Sequence, residues 1–400
     1  MAVNGQRMGR NGRSTRHQGA VPARAAAAVV ASTADIVRSD PDLDLLEWDP
    51  ATARRAKATG RIRIGVIGYG YWGPNLVRNF ADYPGSEVAS VADMRLDRLG
   101  PVQRRYPGVT TTTDYRDLLN DPNIDAIVIS TPISTHFDLA LASLQAGKHV
   151  LVEKTVTATS AQTERLIEEA ERRRLVLMVD HTFVYTGAVQ KIKEIIDAGR
   201  LGRLYYYDSV RVNLGLFQQD VSVLWDLAVH DLSIMDHVLE QVPNAVAATG
   251  VANVPGRPIN TGYLTCFFET NLLAHFHVNW LAPVKIRRTL IGGDAQMIVY
   301  DDLEPSEKVK IYDRGITVDR PSEAAYELLV GYRSGDMWAP QVSLTEALRV
   351  EIQHFVECIH SGQKPITDGH SGLRIVRILE AATESLQQRG RPVEINWTKT

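Results

Sequence analysis

From residue 62 onward, short apolar runs alternate with longer stretches whose apolar residues recur at helical spacing. The runs at 62–67, 87–92, 109–112, 124–130, 149–152 and 175–179 read as strands. Helical patterns follow at 74–81, 115–120, 140–146, 160–173 and 189–198. Pro74 sits in a first turn, Thr159 or Ser160 is a plausible N-cap, and Gly199 is a stop. Alternation of this kind builds a doubly wound parallel sheet with helices on both faces. Beyond about residue 203 the period changes. Runs at 204–212, 245–251, 262–269, 272–280, 286–292 and 295–301 read as successive strands, some separated by turns such as Glu269-Thr-Asn271. The predicted fold is an α/β N-terminal Rossmann domain followed by an α+β domain with a large, mostly antiparallel open sheet. Helical patterns at 345–360 and 372–388 are expected to pack back between the two. The expected boundaries are 1–60 for a largely disordered extension, 61–182 for the Rossmann domain and 183–400 for the substrate-binding and oligomerisation domain.

The first 34 residues contain five arginines and no acid, then an alanine run at 25–28. That composition resembles a transit peptide or a basic arm, and it buries too little apolar surface to order itself. Residues 41–60, with Leu45, Leu46 and Trp48, form a candidate surface appendage. A hydrophobic content of 44%, a charged content of 23% and a formal net charge of −3 fit a soluble globular protein and argue against nucleic-acid or membrane partners. Two cysteines, Cys266 and Cys358, make neither a disulfide framework nor a zinc pattern, so a reducing, cytoplasmic setting is expected.

Gly68-Tyr69-Gly70-Tyr71-Trp72-Gly73 stands between the first strand and the first helix, where G-x-G-x-x-G has physical meaning. Gly68 allows a tight turn, Gly70 a close approach of backbone to a pyrophosphate, and Gly73 close helix packing. Asp93 ends the second strand about twenty residues on, placed to accept from ribose hydroxyls and to repel a 2′-phosphate. NAD is therefore favoured over NADP, with Arg95 as a group able to soften that preference. An acidic strand end is also common without any ligand. Thr131, Pro132, Thr135, His136, Glu153 and Lys154 all fall at strand ends, the edge where such sheets bind ligands.

Lys154 can donate to a substrate oxygen, although a surface lysine at a strand end is an equally ordinary object. Asp226 and His230 lie four apart and share a face if the segment is helical, so the carboxylate can orient an imidazole that takes a hydroxyl proton. A capped helix start with a satisfied histidine is the bland alternative. His181, Tyr185, Arg211 and Asn213 are candidate substrate contacts. His181, His230, Asp231, Asp236 and His237 match no recognised metal spacing, and no metal is expected. His275 and His277 alternate on a strand and are expected at a sheet surface or subunit contact.

With these residues in hand, residues 61–395 resemble the Gfo/Idh/MocA family of NAD(P)-dependent sugar oxidoreductases. The resemblance rests on the glycine turn, Asp93, Ser130-Thr131-Pro132 with Thr135-His136, Glu153-Lys154, and Asp226-x-x-x-His230. His181-Thr-Phe-Val-Tyr185, Trp225 to Asp231, Gly335 to Pro340 and Lys364 to Gly369 are similar to the subgroup acting on nucleotide sugars, especially 3-dehydrogenases. The resemblance implies that Lys154 and His230 flank the reacting carbinol and that Asp226 positions the proton network. It also implies that Thr131, Pro132 and His136 line the dinucleotide cleft. Two departures stand out. Thr155 replaces the family proline after Lys154, leaving open a cis or a trans bond there. Asp180 and Thr186-Gly187 replace residues that are commonly glycine and Asn-Pro. The expected function is NAD-dependent oxidation of a pyranose secondary alcohol, at C3 of a nucleotide sugar such as a UDP-sugar. The alternatives are a cyclitol or inosamine dehydrogenase, a 3-ketosugar reductase, or a silent NAD- or sugar-binding homologue. A homodimer or homotetramer through the C-terminal sheet is expected.

Overall fold

The computed structural model describes residues 60–215, 221–319 and 329–397, with backbone alone for 315–319 and 329–332. The expected N-terminal extension, apart from Gly60, lies outside the described residues. The first layer alternates β1 (Ile62–Ile67), α1 (Gly73–Asp82), β2 (Ser86–Ala92), α2 (Leu96–Arg105), β3 (Thr110–Thr112), α3 (Arg116–Asn120), β4 (Ala126–Ile129), α4 (His136–Gln145), β5 (His149–Glu153), α5 (Ser160–Arg173) and β6 (Leu177–Asp180). All its strand pairs are parallel, in the order β3-β2-β1-β4-β5-β6. That is the strand order of a dinucleotide-binding fold, with its ligand edge at the carboxyl ends of the strands. Central strands β1 and β4 read as continuous apolar runs because helices cover both faces. Helix α2 goes beyond the sequence reading: Gly100 and Pro101 look like breakers, yet Pro101 is accommodated inside the helix.

After α6 (Gly187–Asp197), the chain lays down β7 (Leu204–Leu214), α7 (Val229–Leu239), β8 (Ala245–Val251), β9 (Thr261–Phe267), β10 (Leu273–Asn279), β11 (Leu281–Gly293), β12 (Met297–Asp301) and β13 (Val309–Tyr312). A hairpin of β14 (Gly315–Asp319) and β15 (Leu329–Arg333) precedes β16 (Met337–Trp338), α8 (Ala347–Ser361), α9 (Gly369–Gln387) and β17 (Val393–Glu394). Nine of these strands form one sheet, β16-β13-β12-β11-β7-β10-β9-β8-β17. It is antiparallel except where β10 runs parallel to β7.

One face of this sheet buries Tyr207, Phe276 and Val278 against α7 and α9. The other is partly exposed and carries Tyr263 stacked on His277, with ring centroids 4.6 Å apart. The last helices tie the two layers together. Phe355 of α8 meets Phe80 of α1 edge-on at 6.3 Å, and Leu373 and Val376 of α9 join the core beneath α5. Truncating a fully buried phenylalanine of this kind costs about 3–5 kcal/mol. The segments 335–340 and 364–369 serve this framework. Met337 and Trp338 pair with β13, and Asp368 caps α9 by accepting from the Ser371 N–H at 2.9 Å.

Candidate active site

The glycine turn is built by close approach. Gly68 has φ +97°, and a Cβ there would lie 2.3 Å from the Ser130 carbonyl oxygen. A Cβ on Gly73 would lie 2.4 Å from the Gly68 oxygen, whereas one on Gly70 would meet only the Arg98 guanidinium, at 3.5 Å. The middle glycine thus leaves an open approach to backbone at the start of α1, a cradle that fits a pyrophosphate. Asp93 is buried. One oxygen accepts from the Tyr69 N–H at 2.7 Å and the other from the Arg95 N–H at 2.9 Å. The cation beside this carboxylate is Arg98, 3.2 Å away, and not the Arg95 side chain, which pairs with Asp97. Arg98 was hidden in the sequence because α2 itself was. Tyr71 is exposed, while the Trp72 indole turns inward to donate to Asp180 at 2.8 Å.

His136 is a correction to the expected cleft lining. It is buried, with Nδ1 2.9 Å from the Thr155 carbonyl and Nε2 2.8 Å from that of Thr131. It clamps two strand ends together instead of facing a ligand. Thr135 donates to the Thr131 hydroxyl at 2.7 Å and holds the same loop, where Pro132 is exposed. Glu153 faces Asp180 across β5 and β6 and accepts from the Lys154 N–H at 3.0 Å. Burial, then Asp180, raises its pKa. The Lys154–Thr155 peptide bond is cis.

Lys154 leaves that strand end and reaches across to the second layer. Its Nζ donates to Asp226 Oδ1 at 2.9 Å and to the Asp226 carbonyl at 3.0 Å. Trp280 Nε1 donates to the other carboxylate oxygen at 3.1 Å. Asp226 lies in a π-helical turn, Leu224–Ala228, that runs directly into α7. The sequence expected an ordinary helical i,i+4 pair. Such widened turns recur at functional sites, and here the turn presents both the side chain and the main-chain carbonyl to lysine. Two of the three ammonium protons are thereby engaged, leaving one for a substrate oxygen. Trp280 had no signal in the spacing, since only the sheet brings it near.

His230 follows at the start of α7, half-buried, its ring 4.9 Å from Phe183 and its buried Nδ1 without a partner. Burial, then the charges of Lys154, Arg211, His181 and Arg287, hold its pKa well below the ordinary value. That environment favours the neutral imidazole, which keeps one ring lone pair.

The expected substrate contacts divide. Tyr185 is buried, its hydroxyl 3.0 Å from that of Thr367, and belongs to the core. Arg211 is buried in a bidentate pair with Asp231 at 2.7 and 3.0 Å and stacks over Phe183 at 4.4 Å. Both are corrections: interior order absorbs them. Asn213 stays half-buried on β7 beside Gly215. His181 is buried without a partner on either ring nitrogen. Arg287, which the sequence did not single out, also lies over the Phe183 ring, at 5.2 Å. The acidic members of the rejected metal set are engaged elsewhere, Asp231 with Arg211 and Asp236 with Arg374.

Two family models match most of the folded part. One is an NAD-binding Rossmann fold over residues 62–181, and the other a C-terminal α/β domain over residues 193–395, both of the Gfo/Idh/MocA oxidoreductases. The chain belongs to that family. It is an oxidoreductase whose first domain is an NAD-binding Rossmann fold. Myo-inositol 2-dehydrogenase of Thermotoga maritima is 24% identical over 82% of this chain and 97% of that protein. UDP-N-acetylglucosamine 3-dehydrogenase of Acidithiobacillus ferrooxidans is 28% identical over 82% and 99%. A solved structure of the latter superposes with a TM-score of 0.70, at 25% identity, covering 82% of this chain and 99% of its own. Levoglucosan dehydrogenase, solved with NADH and levoglucosan, shares the fold at TM-score 0.72 and 20% identity, over 84% and 99%. In this oxidoreductase the glycine cradle and Asp93 would hold NAD.

Proposed function

We propose that this dehydrogenase oxidises a pyranose secondary hydroxyl, at C3 of a nucleotide sugar. The observation that carries the reading is the network of Lys154, Asp226 and Trp280 beside the neutral His230. Bound NAD supplies the hydride acceptor. Lys154 donates its remaining N–H to the carbinol oxygen and stabilises the negative charge that grows there. His230 takes the hydroxyl proton, while Asp226, fixed by Trp280, holds the ammonium in place.

A nucleotide sugar is favoured over a neutral cyclitol by Arg287. It is partly exposed over the Phe183 ring and pairs with Asp302 through one nitrogen at 3.0 Å, and the remaining guanidinium donors suit an anionic substrate. The likeness to a UDP-N-acetylglucosamine 3-dehydrogenase supports the same choice, and the inositol dehydrogenase likeness sustains the second reading. The exposed face around Tyr263 and His277 supports association as a homodimer or homotetramer. Two buried free thiols, Cys266 and Cys358, support a reducing, cytoplasmic setting.

The test is a panel of UDP-sugars, dTDP-sugars and inositols with NAD, followed by NADH absorbance. Turnover of a nucleotide sugar is expected, with Lys154→Ala and His230→Ala each lowering kcat by about 10²–10⁴. Turnover of free cyclitols alone transfers the assignment to the second reading. Full activity in both variants would falsify the assigned proton chemistry.

A further inference from the structure

A polar space of about 160 Å³, enough for several water molecules, adjoins His181 and the helix that follows His230. His181, Ser233, Asp236, His237, Glu240 and Arg374 are among the residues that line it. Helix α7 explains its direction. His230, Ser233 and His237 recur at helical spacing along one face, which Glu240 continues just past the helix end. Leu232, Ile234, Met235, Val238 and Leu239 of the same helix are buried in the core. A polar stripe therefore runs from His230 in the active centre to the exposed Glu240. At the rim, Asp236 and Arg374 form a bidentate pair at 2.7 Å, His237 lies 3.3 Å from the Gln190 amide, and Ile366 is exposed.

His181 forms the inner end of this space. It is 1% exposed, and neither ring nitrogen has a hydrogen-bond partner. An imidazole buried this way is costly to keep, so its place calls for a purpose. It stands within electrostatic reach of both Lys154 and His230. Burial first, and Lys154 second, push its pKa down to about 3, so at rest it carries one N–H and one free lone pair.

We propose that His181 and the cavity along α7 form a proton exit, carrying the proton of alcohol oxidation from His230 to solvent behind the substrate cleft. The inference rests on the proton role assigned to His230. Oxidation breaks one C–H and one O–H bond and makes a C=O bond. The hydride and its electron pair reduce NAD, and one proton is left over. His230 takes it from the hydroxyl. His181 accepts it on its free nitrogen and releases its own proton from the other nitrogen to cavity water. His237 and the exposed Glu240 then offer acceptors on the way out. No redox change accompanies the relay, and reduction runs it backwards. The route matters because a bound sugar and nicotinamide exclude water from the front of the site.

The test uses whichever polyol the wild-type enzyme turns over, so an error in substrate class appears in the wild-type panel and leaves this comparison intact. His181→Phe and His181→Asn are expected to lower kcat about ten-fold or more in dilute buffer. Imidazole or another small buffer restores the rate, and the solvent deuterium isotope effect on kcat rises. The KM for the sugar and NADH affinity by fluorescence titration stay unchanged. Ile366→Trp, at the rim, obstructs the cavity from outside and is expected to give the same buffer-dependent loss without touching His181. A loss that buffer does not restore overturns the exit, as does a kcat within about two-fold of wild type in all three variants.

Discussion

The indole N–H of Trp72, within the glycine turn, donates to Asp180 at the end of β6, 2.8 Å away. Asp180 thus links the first turn of the sheet to its last strand. Trp72→Phe strands a buried carboxylate oxygen, at a cost of about 1–3 kcal/mol. A lower urea midpoint and weaker NADH binding are expected together. Unchanged values of both would show that the bond holds nothing in place.

The glycines of the turn separate fold from ligand. Gly70→Ala meets only the flexible tip of Arg98, so stability should change by no more than about 1 kcal/mol while NADH affinity falls. Gly73→Ala drives a methyl into the Gly68 carbonyl oxygen and is expected to lower the melting temperature as well. Equal effects of the two substitutions on stability would contradict the geometry.

Glu351 on α8 is fully buried, with the Asp180 and Thr182 side chains beside its carboxyl group. Burial, then the neighbouring Asp180 and Glu153, raise its pKa well above the ordinary 4.5. A raised folded pKa means that the folded chain holds the proton more tightly than the unfolded one. The resulting stability is full below pH 4.5 and is lost as pH rises through the folded value. Glu351→Gln removes that loss. It is expected to stabilise the protein by about 1–3 kcal/mol at pH 8 and by little near pH 4.5. Urea unfolding at the two pH values decides, and equal shifts at both would rule out the protonated carboxyl.

Tyr263 and His277 stack on the sheet face turned away from the helices. If that face joins two copies, Tyr263→Arg places an unpaired charge in an apolar contact and should halve the mass seen by light scattering. A wild-type monomer at micromolar concentration would refute the contact outright.

Much of the first layer is legible because its signals are local. Apolar runs mark β1, β2, β4, β5 and β6, Thr159 caps α5, and Gly68 to Gly73 stand between strand and helix. Helix α2 was not legible, since Gly100 and Pro101 act against helix and only packing of Leu99 and Val102 overrides them. In the site, Lys154, Asp226 and His230 could be selected by residue type and order. Tyr185, Arg211 and His136 could not be excluded that way, because a buried polar side chain and a ligand-facing one look alike in sequence.

The sequence by itself determined the dinucleotide fold and the glycine turn and offered the candidates for proton handling, since these depend on backbone freedom, periodicity and side-chain chemistry. Tertiary structure alone decided what each of those groups touches. Lys154 meets Asp226 across 72 residues, Trp280 reaches the same carboxylate from β10's end, and Glu351 arrives on a helix from the far end of the chain. Burial and long-range contact set the protonation states of His181, His230 and Glu351, and neither quantity is written in local spacing.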